Sequence, residues 1–352
     1  MRLAAEFIRL PYRFDVEQLQ KEVLAIDPSD WVPHPSGFAG NSSIPLISVQ
    51  GEMNDAFHGA MKTTEFLGKL PYLQQVLASF GEVFGRSRLM LLAGSEEVPP
   101  HVDTNYHWHN RVRIHVPIIT NPAVIFYCGD KQVSMGAGET WIFDSWRNHR
   151  VHNQSDEDRI HLVIDTAGSA KFWDLVNASE QNPQIAESQQ GQYKEIYIPY
   201  VEGKKTTILT EKYNSPVVMT PGEVDYLVTD IINDLLENQQ NDQMPMQRFA
   251  RIANQFRQNW RTVWSLHADT REGWSKYDAL IGRASTLVKS MRAKLTLKSN
   301  DASVYQVFRD RILGSVLNPN LASHHRSQAG DPQALSGLAE ADANFPQAQR
   351  DQ

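Results

Sequence analysis

Cysteine is almost absent. Cys128 is the only one in 352 residues, so no intrachain disulfide can form and a metal cage of thiolates from this chain alone is excluded. No apolar run is long enough to span a bilayer, which argues against a membrane protein. The opening stretch MRLAAEFIRLPYRF carries Glu6, Arg9 and Pro11 where a secretory leader needs an apolar core. A cytoplasmic protein is therefore expected. No Lys/Arg cluster stands out and the net charge is −7, so nucleic acid is not an expected partner. Nor does the chain lack what a core needs: 41% hydrophobic and 21% charged residues is ordinary globular usage.

What is present is concentrated. Seven of the twelve histidines fall between His101 and His161. Around them the apolar period becomes two, in short runs at 88–93, 111–119, 123–128, 139–144 and 159–165 separated by Gly, Pro, Asn and Asp. Many short strands with such punctuation predict a β-sandwich or barrel. In RVRIHVPI the alternation sets Arg111, Arg113 and His115 on one face, which must meet water or line a polar cavity.

Before this region, the pattern predicts a strand over 5–14 and a helix over 16–26 started by Asp15 and Gln18. A long loop over 27–45, a short strand at 46–49 and a helix over 71–80 opened by Pro71 follow. After it, 195–201 and 205–210 read as a hairpin about Glu202 and Gly203. Helices are expected at about 221–238, 245–266, 274–297 and 301–317. The expected organisation is an N-terminal α/β extension (1–85), a β core (86–167), a connecting segment (168–215), a helical part (216–317) and a disordered tail (318–352). The helical part reads as a cap on the barrel or as a homodimer surface.

The chemistry lies in spacing. His101 and Asp103, two apart, point the same way from one strand end. With a distal histidine, His149, they make two imidazoles and a carboxylate, the ligand set of a non-haem Fe(II) facial triad. His152 is the local competitor, but three residues along a strand it faces the other way. His107 and His109 form an H-x-H pair without the following Glu that a cupin metal site would want. A lone histidine in a strand is far more often packing than ligand; the combination carries the weight.

Taken together, PPHVDT, RVRIHVPI, GETWIFDSWRNHRVHN and RIHLVID resemble the aspartyl/asparaginyl β-hydroxylase family of Fe(II)/2-oxoglutarate-dependent dioxygenases, in particular its bacterial amino-acid and proline hydroxylases. The resemblance implies a double-stranded β-helix (jelly-roll, cupin-like) core, mainly β with α. It implies iron held by His101, Asp103 and His149, and 2-oxoglutarate held at its distal carboxylate by Arg159 and contacted by Arg113 and His115. O2 is the oxidant, succinate a product, and a C–H of an amino acid or of a peptide residue the target. Asn105, His107 and Arg111 are candidates to meet the substrate. A cupin-like metal-binding or sensing protein, or a metal-dependent isomerase on the same barrel, is the alternative reading, and neither would need Arg159.

Overall fold

The computed structural model describes residues 1–181, 195–289, 291 and 294–322. The chain opens with β1 (Phe7–Leu10), β2 (Tyr12–Phe14) and helix α1 (Val16–Leu24), whose N-cap Asp15 accepts from Gln18 N. β3 (Val32–Pro33), β4 (Asn41–Val49) and β5 (Met61–Thr63) precede helices α2 (Glu65–Gly68) and α3 (Pro71–Phe80). Eight strands then follow: β6 (Val83–Leu92), β7 (Glu97–His101), β8 (Val112–Ile119), β9 (Val124–Cys128), β10 (Lys131–Val133), β11 (Thr140–Phe143), β12 (His149–Asn153) and β13 (Arg159–Thr166). Only the short helix α4 (Tyr106–His109) interrupts them.

These eight strands form a double-stranded β-helix. The order β11–β8–β13–β6 builds one sheet and β10–β9–β12–β7 the other, with antiparallel pairing throughout. β1 adds beyond β11 and β4 beyond β6, so the N-terminal region widens the larger sheet on both sides. Alternation then divides the work of that sheet. Ile114, Val116, Ile142, Leu162 and Ile164 point outward and are buried against α1, α3 and α5 (Ala170–Asn177). Trp141, Phe143 and Leu92 point inward and meet Val124, Phe126, Cys128 and Val151 of the smaller sheet. Cys128 is a buried free thiol there.

The C-terminal helices α6 (Pro221–Glu237), α7 (Gln243–His267) and α8 (Trp274–Lys289), with α9 (Val304–Val307) running into a π-helical turn (Phe308–Leu313), enclose their own core. Trp260 and Tyr277 are fully buried at its centre, and two barrel residues, Tyr106 and Trp146, are part of it. No helix among the described residues is long and apolar enough to cross a membrane.

Several local expectations need correction. β4 starts at Asn41, inside the expected loop. The expected hairpin is not one. β15 (Ile196–Ile198) pairs parallel with β2, and β16 (Leu209–Thr210) pairs parallel with β6, while β14 (Glu180–Gln181) pairs with β1. Alternation identified those segments as extended but not their distant partners. Part of 318–322, expected in the tail, is held to the helical domain: Asn318 N donates to Val217 O (2.7 Å) and Leu321 is buried. Residues 182–194 of the connecting segment, positions 290, 292 and 293 of the third expected helix, and the tail from 323 lie outside the described residues.

The turns that close the barrel approach each other at Gly94. A Cβ there would sit 2.4 Å from Asp156 O. Gly94→Ala should therefore force the two turns apart and cost about 1–3 kcal/mol. The midpoint of chemical denaturation measures this, and an unchanged midpoint would contradict the close approach.

Candidate active site

β7 and β12 are neighbours, and their register sets His149 directly opposite His101. Asp103 lies just past the end of β7, its N–H donating to Ser145 O (3.1 Å). One donor atom from each of His101, Asp103 and His149 lies within 4.8 Å of the others. Nδ1 of His101 faces Pro99 O at 2.8 Å and Nδ1 of His149 faces Arg147 O at 2.9 Å. A carbonyl only accepts, so both Nδ1 atoms carry the proton and both Nε2 lone pairs are free. His149 Nε2 and Asp103 Oδ2 are buried without a hydrogen-bond partner.

Charge supports the same donor set. Burial lowers the His149 pKa to about 4, which keeps the imidazole neutral. Burial also works against the Asp103 carboxylate, but the charge of the neighbouring Arg113 guanidinium foremost holds the pKa below its ordinary value. Arg113 Nη2 is 3.3 Å from Asp103 Oδ2. Two imidazoles and one carboxylate, converging in one cavity, fit a divalent metal with open positions.

The triad lines a cavity of about 250 Å³. Its wall is the inner face of the larger sheet, where alternation sets Arg86, Arg88 and Met90 of β6, Arg113 and His115 of β8, and Arg159 and Val163 of β13. Arg159 is 5% exposed, its Nε has no partner, and it makes no ion pair with a described residue. Its Cζ lies 5.0 Å from the Phe126 ring centroid, and burial lowers its pKa to about 9. Both ring nitrogens of His115 are buried without hydrogen bonds. Arg113 lies over Trp108, 3.7 Å from the ring centroid.

The three expected substrate contacts are elsewhere. Arg111 precedes β8 and is buried, with Nε donating to Glu211 Oε1 at 2.7 Å; it lines neither this cavity nor the cleft beside it. His107 is 3% exposed and bonded through Nε2 to Asp165 Oδ2 (3.1 Å). Asn105 caps α4, accepting from Trp108 N. Asn105 and His107 line a second, more open cleft of about 550 Å³ that shares Phe57, Asp103 and Trp108 with the inner cavity. The outer wall of this cleft is the π-helical turn and its end, including Arg309, Asp310 and Ser315. His152 alternates with the buried His149 and Val151 and faces away.

Sequence reasoning did not single out Arg86 and Arg88, although GRSRLM carries the same alternation as RVRIH. It also missed Trp146, in the turn that leads to His149. The indole donates to Ser299 Oγ (2.8 Å), Asn300 Nδ2 donates to Trp146 O (2.9 Å), and the guanidinium of Arg311 lies 4.1 Å from the ring centroid. The C-terminal helices thus grip the loop that carries one candidate ligand. No local pattern marks such a contact.

Residues 45–168 match the aspartyl/asparaginyl β-hydroxylase family. The β-hydroxylase match contains all three residues of the triad and Arg159. Among solved structures, the chain is similar to a 2OG-Fe(II) oxygenase-family oxidoreductase from Burkholderia pseudomallei (9% identity, 44% of this chain and 79% of that one, TM-score 0.33). It is also similar to a prolyl-4-hydroxylase from Pseudomonas putida (11% identity, 46% and 92%, TM-score 0.32). A third is a cupin-domain protein from Bordetella pertussis Tohama I (17% identity, 23% and 79%, TM-score 0.19). No curated protein matches.

Titration with Mn(II), a paramagnetic divalent probe, followed by electron paramagnetic resonance, tests the ligand set. His149→Ala should lose the site and His152→Ala should keep it; the reverse would overturn the assignment. Trp146→Phe, which keeps a ring beneath Arg311 but loses the donor to Ser299, should weaken binding by up to about tenfold.

Proposed function

We propose that this protein is an Fe(II)- and 2-oxoglutarate-dependent hydroxylase acting on a C–H of an amino acid or of an amino-acid residue in a peptide. The observation that carries the reading is Arg159, a guanidinium buried in the triad's own cavity with no ion pair among the described residues. A buried unpaired charge is costly, so the site calls for an anionic guest. A metal-binding barrel without turnover would leave that cost unanswered. When bound, iron, 2-oxoglutarate and O2 supply the oxidation: the co-substrate ends as succinate and CO2, and one C–H becomes C–OH.

The chain's own residues bind, orient and exclude water. His101, Asp103 and His149 would hold the metal through two Nε2 atoms and one carboxylate oxygen. Arg159 would take the far carboxylate of 2-oxoglutarate in a planar, two-point pairing. His115, with both ring nitrogens free, and Arg113 lie along the same wall and would fix the rest of that molecule. Phe126, Phe143, Val98 and Val163 line the same cavity and keep it dry. Asp103 would be both ligand and ion partner of Arg113.

Two measurements test this. Calorimetric titration of 2-oxoglutarate into Mn(II)-loaded protein should show one site per chain. Arg159→Ala should weaken it by on the order of 30-fold or more, the cost of truncating one partner of a buried charge pair. Separately, Fe(II)-loaded protein should release succinate from 2-oxoglutarate under air, and His101→Ala and His149→Ala should abolish this. Failure of the wild-type protein to bind 2-oxoglutarate, or unchanged binding by Arg159→Ala, would overturn the reading.

A further inference from the structure

Arg159 is not the only buried guanidinium that wants an anion. Arg86 and Arg88 line the same cavity, 4% and 5% exposed. Register puts Arg159 opposite Leu92 and Arg88 opposite Val163, four residues further along β13. At strand spacing their backbone positions are about 13 Å apart, so the two places start from different parts of the cavity wall.

Among the described residues one carboxylate, Asp55, is ion-paired with both; Asp165 acts on them from further off. Asp55 Oδ1 accepts from Arg88 Nη1 at 2.6 Å and lies 3.5 Å from Arg86 Nη1, which also donates to Asp55 O at 2.9 Å. Arg86 Nε has no partner. The two arginines are buried, while the Asp55 side chain is 29% exposed, in the irregular stretch between β4 and β5. Two enclosed cations therefore share one oxygen of an acid that water can reach.

Charge and shape agree. Of the five arginines that line the cavity, Arg150 is paired with Glu97; the other four (Arg86, Arg88, Arg113 and Arg159) face three carboxylates (Asp55, Asp103 and Asp165), leaving one positive charge in excess among the described residues. A dication with a dianionic co-substrate does not alter that balance. Flat apolar surface adjoins the pair: the guanidinium of Arg86 lies 4.0 Å from the Phe57 ring centroid and 5.4 Å from that of Trp108. Phe57 and Trp108 also border the outer cleft, so a substrate entering there would reach the pair beside the triad.

The geometry points to Arg86 and Arg88 as the seat of a carboxylate of the substrate, with Asp55 as the counter-ion that occupies it until the substrate arrives. This rests on the hydroxylase reading for the identity of the substrate. It assigns the carboxylate to β6, not to Arg111, whose guanidinium is committed to Glu211.

The test is calorimetric titration of Mn(II)-loaded protein with the twenty free L-amino acids and their α-amides, 2-oxoglutarate being present at saturation. At least one acid should bind. An α-amide weaker by on the order of tenfold identifies the α-carboxylate as the seated group. Asp or Glu that keeps its affinity as the α-amide, where Asn or Gln does not bind, identifies a side-chain carboxylate instead. Either result supports the proposal.

Arg86→Gln/Arg88→Gln should lose the binding. Asp55→Asn, which removes the competing anion, should tighten it several-fold, so a folding defect in the arginine variant does not decide the matter. The same titrations in Arg159→Gln without 2-oxoglutarate should still show the acid bound, which separates this site from the co-substrate's. Absence of binding by every acid, binding that neither α-amidation nor loss of the side-chain carboxylate weakens, or weakened binding in Asp55→Asn would overturn the assignment. Failure of 2-oxoglutarate to bind the wild type would overturn the hydroxylase reading and leave the Arg159→Gln result standing.

Discussion

The pairing of β7 with β12 is the constraint on which the site depends. Antiparallel neighbours exchange hydrogen bonds at fixed register, and this register puts His101 and His149 across from each other at the mouth of the smaller sheet. Each ring is then turned by a bond to a carbonyl two residues earlier, Pro99 O or Arg147 O. Asp103 follows one alternation later. A slip of one residue would turn His149 away from His101 and bring Arg150 or Asn148 into its place. The ligand set is thus a property of strand register rather than of any one loop.

The larger sheet solves a different problem. Its outer face is mostly apolar and is covered by helices, which supplies the burial that holds the domain together. Its inner face is divided along its length. Trp141, Phe143 and Leu92 fill the closed part, and arginines from three strands line the rest. Burying these guanidiniums costs stability. Asp55, Asp103 and Asp165 recover part of it, and Arg159 has no ion pair among the described residues. The positive cavity is therefore built into the alternation of β6, β8 and β13 and needs no dedicated binding loop.

Much of this was legible in the residues. Five of the eight barrel strands are apolar alternating runs, and the triad with Arg159 carries recognisable spacing. β7 was not legible because EVPPH has two prolines, and β12 because HRVHN has a single aliphatic side chain. Strands that carry a site spend their inward positions on chemistry, and the apolar signal fades with them. The role of Arg111 was misread for a related reason: it shares parity with Arg113 and His115, but Glu211, a hundred residues on, lies beside it. Partners that distant, like the parallel neighbours of Ile196–Ile198 and Leu209–Thr210, leave no local trace.

The first strand of the sheet has a consequence for how the chain assembles. Phe7–Leu10 pairs with Thr140–Phe143, so this strand is made well before its partner, more than a hundred residues later. Until β11 exists, β1 is an extended apolar segment with open hydrogen-bonding edges. Contacts of such long range are slow to form because the loop entropy is lost before any pairing rewards it. Closure of the barrel from β6 to β13 would come first, and the docking of β1 on its finished edge would come late. A chain stalled before β11 would be exposed to strand addition from its neighbours.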